Sequence, residues 1–121
     1  MRACLLIGLG GFCGAVLRYL LSLLPLSERI GFPVITLLIN VAGAFLIGIL
    51  AGLTLKNPAL DTEWMAFLRI GLCGGFTTFS TFALETTVLF GSDRFGAGAL
   101  YIGLSLLLGL GAVWAGRMLA A

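Results

Sequence analysis

Apolar residues fill most of the chain in four long runs that short polar stretches separate. The runs lie near residues 3–25, 32–55, 64–90 and 96–119. Each is at least as long as the roughly 20 residues that a helix needs to cross the hydrocarbon core of a bilayer. The polar stretches carry the proline, glycine and charged residues that are typical of loops. The pattern therefore predicts an all-α membrane protein, with residues 1–121 forming a single domain of four transmembrane helices.

The composition supports this interpretation and narrows the chemistry. Hydrophobic residues make up 60% of the 121 residues and charged residues only 10%, whereas a soluble domain carries roughly 25% charged residues. The chain has no histidine, which excludes histidine metal ligands and imidazole as a general base. Its three cysteines have no CxxC spacing and lie in apolar runs, so we expect reduced side chains. We expect no enzyme, because no nucleophile, base and orienting partner stand at a recognisable spacing.

Basic residues near the helix ends are almost evenly divided between the two sides of the predicted bundle. Arg2, Lys56 and Arg117 fall on one side, and Arg29 and Arg94 fall on the other. Such residues normally decide the orientation of a membrane protein. So weak a bias leaves two interpretations open. The protein inserts in one orientation, or it inserts in both and two copies pair as an inverted dimer.

The third run contains an unusual segment, GLCGGFTTFSTF, at 71–82. Relative to alanine, glycine disfavours a helix by about 1 kcal/mol and threonine by about half that. The third helix is therefore a candidate for a break near its middle, which would free carbonyls that must be buried in protein or line a wet cavity. Freed carbonyls can bind a small hard cation such as sodium. The alternative is a close helix crossing at the glycines, with the threonines bonded back to the preceding turn.

Function is expected at the polar groups that a bilayer makes costly. These groups are Asn40 in the second span, Arg18 in the first, Glu85 in the third, and Tyr101 and Ser105 in the fourth. Snorkelling to the membrane interface explains the arginine equally well. The last two stand four residues apart on one helix face, where they can also be an interfacial tyrosine and an ordinary helix serine.

Phe79 and Phe82 are three residues apart beyond the glycines, so they share a helix face. Such a pair is usually packing. Aromatic rings nevertheless have a positive edge, and beside the amide of Asn40 and nearby hydroxyls that edge suits a corridor for an anion. No basic cluster is expected at mid-membrane, so an anion would have to move past many weak donors.

Three segments closely resemble the Fluc/CrcB family of small fluoride channels. They are GGFCGAVLRY at 10–19, TLLINVAGAFLIG at 36–48 and GLCGGFTTFSTFALE at 71–85. The resemblance implies an antiparallel, dual-topology homodimer with two fluoride pores and a sodium ion at the subunit interface. It also implies a multi-pass protein of a bacterial-type inner membrane, surrounded by lipid, that releases cytoplasmic fluoride passively and has no nucleic-acid partner.

The same resemblance assigns roles to individual residues. The fluoride pore would be lined by Asn40, Phe79, Phe82, Ser80, Thr81, Tyr101 and Ser105. Arg18 and Glu85 would have vestibular or structural roles, and the backbone carbonyls of Gly74 and Thr77 would bind sodium.

Two other function classes are compatible with four short spans. A small multidrug-type, proton-coupled efflux transporter has similar length and topology, but it depends on a carboxylate in its first helix, and the first span here holds none. A small structural subunit of a larger membrane complex would use its polar residues to bind neighbouring helices.

Overall fold

The computed structural model describes all residues, 1–121, and it is entirely helical. The α-helices are α1 (Arg2–Ser22), α2 (Leu26–Ile30), α3 (Val34–Lys56), α4 (Glu63–Ala66), α5 (Gly74–Phe76), α6 (Phe79–Gly91) and α7 (Phe95–Ala120). A 3₁₀ turn covers Pro58–Leu60, and a π-helix covers Phe67–Cys73. Four helical stretches are long and apolar enough to cross a membrane, namely α1, α3, the third stretch Glu63–Gly91 and α7. The prediction of an all-helical chain with four candidate spans is confirmed.

The connection between the first two spans differs from the predicted loop. α1 ends at Ser22, three residues before the predicted end at residue 25, because Pro25 cannot donate the hydrogen bond that would continue the helix. The short helix α2 follows and ends at Ile30, and its C-cap residue Gly31 has a left-handed φ of 71°. Glycine adopts this conformation without the steric penalty of a Cβ, which makes it a common residue after a helix end. The other helix boundaries lie within two residues of the predicted ones.

Close glycine contacts join α1 to the third span, and the two run parallel. Gly10 packs against Phe67 and Gly71, and a Cβ added to Gly10 would lie 2.5 Å from the carbonyl oxygen of Phe67. One turn further along α1, Gly14 packs against the backbone around Gly75. These contacts let two backbones approach closely where no hydrophobic effect draws helices together.

α3 and α7 form a second parallel pair of the same kind. A Cβ on Gly48 would clash with the carbonyl oxygen of Val113, and a Cβ on Gly116 would clash with the carbonyl oxygen of Phe45. Nearer the other end of the pair, Leu37 and Tyr101 are buried together. The bundle therefore consists of two parallel helix pairs, each built on small residues.

The backbone of the third span is irregular in its middle. A π-helix, a form that occurs mostly as short insertions and often at functional sites, runs through Phe67–Cys73 into α5. Thr77 and Thr78 then have extended backbones, with ψ angles of 157° and 115°. α6 begins directly afterwards, and the hydroxyl of Thr78 caps it by accepting the Thr81 N–H at 3.2 Å. The hydroxyl of Thr77 also bonds back to the Cys73 carbonyl at 2.9 Å.

Candidate functional site

Asn40 pairs with the extended backbone of Thr78. Its Nδ2 donates to the Thr78 carbonyl at 3.0 Å, and its Oδ1 accepts from the Thr78 N–H at 2.8 Å. In a continuous helix that N–H would bond to the carbonyl of Gly74, four residues earlier. The side-chain amide thus replaces helical partners, and it keeps one N–H for a further acceptor.

Carbonyl oxygens at the end of α5 lose their helical partners at this point. Arg18 donates from Nε to the Gly75 carbonyl at 3.3 Å, so the arginine satisfies one of them from within the bundle. The Thr78 N–H, which would otherwise satisfy Gly74, bonds to Asn40 instead. Gly74 is exposed, and an added Cβ there would meet no atom within 4 Å. The carbonyl of Gly74 therefore lacks its helical partner, in an exposed residue.

A cleft of about 370 Å³ lies between α3, the extended residues and α7. We call it the amide cleft, and its walls include Asn40, Gly74, Thr77, Phe79, Phe82 and Ser105. The hydroxyl of Ser105 is buried and has no hydrogen-bond partner. Leaving a buried polar group unsatisfied costs about 1–3 kcal/mol. The cleft therefore contains a donor that a bound anion or a water molecule can satisfy.

Aromatic rings form one side of the amide cleft. The Phe82 ring lies 5.7 Å from the Phe79 ring at an interplanar angle of 50°, and 5.0 Å from the Tyr101 ring at 69°. The second arrangement is edge-to-face, which suits the quadrupoles of aromatic rings. Phe79 is 79% exposed, so most of its surface is not covered by the rest of the chain.

Glu85 joins three spans through its carboxylate. The Thr36 hydroxyl donates to Oε1 at 2.7 Å, and the Tyr101 hydroxyl donates to Oε2 at 2.8 Å. Tyr101 is 0% exposed, and it belongs to this cluster, whereas Ser105 belongs to the amide cleft. Sequence reasoning missed Thr36. The available signal was its position four residues before Asn40, on the same face of α3.

The chain is similar to proteins of a known family. A model of the family described as "CrcB-like protein, Camphor Resistance (CrcB)" matches residues 5–117. The chain belongs to the CrcB-like family. Relatives named "Fluoride-specific ion channel FluC" match nearly the whole chain. The Azobacteroides pseudotrichonymphae relative is 42% identical over 98% of this chain and 96% of its own length. The Oceanobacillus iheyensis relative is 45% identical over 99% and 92%.

The resemblance noted in the sequence is thus confirmed at the level of the family. A relative from Methanococcus maripaludis, 43% identical over 98% of this chain and 95% of its own length, bears the same name. The name describes an ion channel, which is a class of transporter and not of enzyme.

The remaining hydroxyls of this CrcB-like chain stand at the start of α6. Thr78 Oγ1 lies 3.1 Å from Thr81 Oγ1 and 3.4 Å from Ser80 Oγ. Ser80 is exposed, and neither it nor Thr81 lines the amide cleft of its own chain. Thr78 was missed by sequence reasoning because its partner, Asn40, lies 38 residues away.

Metal ligands other than carbonyls are scarce in this CrcB-like chain. No group of three or more histidine, cysteine, aspartate or glutamate side chains is placed to hold a metal ion. A bound cation would therefore depend on neutral oxygens, such as the backbone carbonyls of Gly74 and Thr77 at the amide cleft.

Proposed function

We propose that the protein is a fluoride-selective channel that exports cytoplasmic fluoride passively and thereby lowers fluoride toxicity. The amide cleft is the observation that carries this proposal. In a chain whose relatives are named fluoride channels, the cleft combines a spare amide N–H on Asn40, an unpartnered hydroxyl on Ser105 and the rings of Phe79 and Phe82.

Passive export needs no coupled energy source. With the membrane negative inside, a unit negative charge that moves outward gains about 2.3 kcal/mol per 100 mV. The barrier is desolvation, because transferring a carboxylate-sized ion into a medium of low dielectric costs on the order of 20 kcal/mol. Charge-assisted hydrogen bonds return about 1.5–3 kcal/mol each. Several donors or residual water must therefore accompany fluoride along the path.

One chain supplies few of these donors, so the complete pore is assigned to an antiparallel homodimer inserted in both orientations. The balanced basic residues at the helix ends and the exposure of Phe79 support this assembly. Ser80 and Thr81, which do not reach the cleft of their own chain, would contribute hydroxyls across the subunit interface. Each dimer would hold two pores in a bacterial-type inner membrane.

A sodium ion at the subunit interface would have a structural role. The interruption of the third span at Thr77 supports it, because Gly74 and Thr77 can offer neutral carbonyl oxygens, the ligands that hard cations prefer. Two carbonyls from each of two chains would hold the ion. The amide cleft contains both residues, so the ion would fix the position of the pore walls.

The other pore roles follow the geometry of the Glu85 cluster. Tyr101, Glu85 and Thr36 form a hydrogen-bonded group on the Val34 end of the amide cleft, where it would lie at a pore entrance. Arg18 would keep the α5 carbonyls in place through its bond to Gly75.

The multidrug-transporter alternative is not favoured. α1 contains no carboxylate, and both oxygens of Glu85 in the third span already accept hydrogen bonds from hydroxyls. A structural subunit would be inert when purified alone, which the following experiment distinguishes.

The test is ion efflux from liposomes that contain the purified protein. A fluoride electrode follows release after valinomycin sets a potassium potential, and chloride release is measured in parallel. We expect fast fluoride release with little chloride release. Release of neither ion from a correctly assembled protein would contradict the channel and favour the structural subunit.

A further inference from the structure

A second groove adjoins the amide cleft on the side of Lys56, the last residue of α3. It has a volume of about 660 Å³. Ile47 and Val113 line both the amide cleft and this groove, so the two concavities adjoin. We call it the basic groove, and its polar side chains are Thr54, Asp61, Arg69 and Arg117.

The two concavities follow one face of α3. Asn40, Ile47 and Thr54 stand at intervals of seven residues, which is close to two helical turns and about 10 Å. The face therefore runs from the amide of Asn40 over an apolar step to the hydroxyl of Thr54, on the order of 20 Å in all.

The arginines of the basic groove have no ionic partner. The one ion pair in the chain joins Arg2 to Glu63 at 3.1 Å on the surface. Asp61 shares the groove with Arg69 and Arg117 but forms no salt bridge with either. Arg69 is half-buried. An unpaired cation in an apolar span is costly unless water or an anion accompanies it.

Helix dipoles explain some of these cations but not all. Lys56 and Arg117 stand in the last turns of α3 and α7, where a positive charge stabilises a helix whatever its function. Arg69 lies inside the π-helix Phe67–Cys73, away from any helix end. Its charge is therefore the one that calls for another explanation.

The opposite end of the chain has the reverse polarity. There a groove of about 380 Å³ is lined by the carboxylates of Glu28 and Glu85 and by no lysine or arginine. Of the two grooves, only the basic groove therefore has cationic side chains in its walls, since Arg29 and Arg94 at the other end do not line the groove there.

We propose that the basic groove is an anion-collecting mouth of the fluoride path, in which Arg69 concentrates fluoride before it reaches the amide cleft. The proposal rests on the proposed path through the amide cleft. Charged clefts raise the local counter-ion concentration and the association rate by roughly 10–10³, an effect that salt suppresses. The Debye length falls from about 30 Å at 0.01 M to about 3 Å at 1 M ionic strength.

The test of this role is the rate of fluoride efflux from liposomes at low and at high ionic strength. An impermeant salt sets the ionic strength. We expect Arg69→Gln to slow the initial rate about threefold or more near 0.01 M and hardly at all near 1 M. Asp61→Asn removes the only carboxylate of the groove and should accelerate efflux at low ionic strength alone. The control is Arg94→Gln, an exposed cation outside both concavities, which should leave the rate unchanged.

Four outcomes would overturn the proposal. Equal slowing of Arg69→Gln at both ionic strengths would make the arginine a structural residue. Slowing that occurs only in vesicles with anionic lipid, at fixed ionic strength, would identify a lipid headgroup as the ligand. If the wild-type protein released no fluoride at any ionic strength, the proposed fluoride path through the amide cleft would itself be contradicted. If Arg69→Gln does not assemble, an unchanged rate for Asp61→Asn near 0.01 M contradicts the mouth.

Discussion

Asn40 combines two tasks that are usually separate, because its amide serves both the fold and the cleft. The carboxamide supplies a donor and an acceptor in one plane, which matches the N–H and carbonyl of Thr78. Neither a hydroxyl nor a carboxylate has both groups in that arrangement. Its remaining N–H is the amide donor available to an anion.

Replacing Phe82 with isoleucine tests the aromatic edge. The variant keeps apolar bulk but removes the ring that lies edge-to-face with Tyr101 at 5.0 Å. We expect at least a tenfold loss of fluoride efflux, about 1.4 kcal/mol of lost stabilisation for the ion in the path, with assembly retained. Phe12→Ile is the control, because Phe12 is 68% exposed and belongs to no ring pair. Wild-type efflux by Phe82→Ile would exclude the ring edge from ion coordination.

Glu85→Gln tests the cluster that joins three spans. In glutamine an NH2 group replaces one of the two oxygens, so one of the hydroxyls of Thr36 and Tyr101 would face a donor where it now has an acceptor. We expect the stability of the fold to fall by about 1–3 kcal/mol. The measurement is the melting temperature, obtained by heating the protein in detergent and following the loss of its peak in size-exclusion chromatography, and it should fall.

The control for that measurement is Glu63→Gln. Glu63 pairs with Arg2 on the surface, and exposed pairs contribute about 0–1 kcal/mol. If Glu63→Gln destabilised the protein as much as Glu85→Gln, the buried cluster would have no special part in stability.

The third span has an irregular backbone that its sequence predicts only in part. Its length and apolar content predict a transmembrane helix, since the bilayer imposes about 20 residues on any helix that crosses it. Its glycines and threonines indicate a weak point. The π-helix at Phe67–Cys73 has no comparable signature, because the contact of its backbone with Gly10 in α1 lies far away in sequence.

A matched pair of glycine substitutions in α1 tests the close crossing. An alanine at Gly14 would press on the carbonyl oxygen of Leu72, whereas an alanine at Gly8 would meet no atom within 4 Å. Overpacking of this kind costs about 1–3 kcal/mol, so we expect Gly14→Ala to melt at a lower temperature and Gly8→Ala to melt like the wild type. Equal melting temperatures would show that the crossing relaxes without cost.

At the scale of the whole molecule, the features that depend on neighbouring residues could be predicted from the sequence. The four spans follow from hydropathy, whereas the pore roles of Asn40, Phe82 and Glu85 rest on the family resemblance and stay predictions. Contacts between distant positions were not predictable in the same way. The bond from Thr36 to Glu85 crosses 49 residues, and the short helix α2 depends on local capping at Gly31 that an apolar pattern does not reveal.

Removal of sodium tests the proposed assembly. If the carbonyls of Gly74 and Thr77 from two chains hold the ion, exchanging sodium for N-methyl-D-glucamine should lower the melting temperature of the dimer. A site that is saturated 100-fold above its dissociation constant stabilises by about 2.7 kcal/mol. Tags at both termini, probed from each side of the membrane, should be accessible from either side in equal measure. A dimer indifferent to sodium would exclude the ion, and tags accessible from one side only would exclude the inverted pair.

The bidentate bond between Asn40 and Thr78 also limits how the channel is regulated. An amide that turned to follow a passing ion would release the Thr78 backbone that it holds, so the amide must stay still while ions move. If the amide cleft is the fluoride path, a wall fixed in this way supplies no moving part that could close it. A path that is always open is tolerable in a cell membrane only if its shape excludes abundant chloride. A leak of chloride would dissipate the membrane potential.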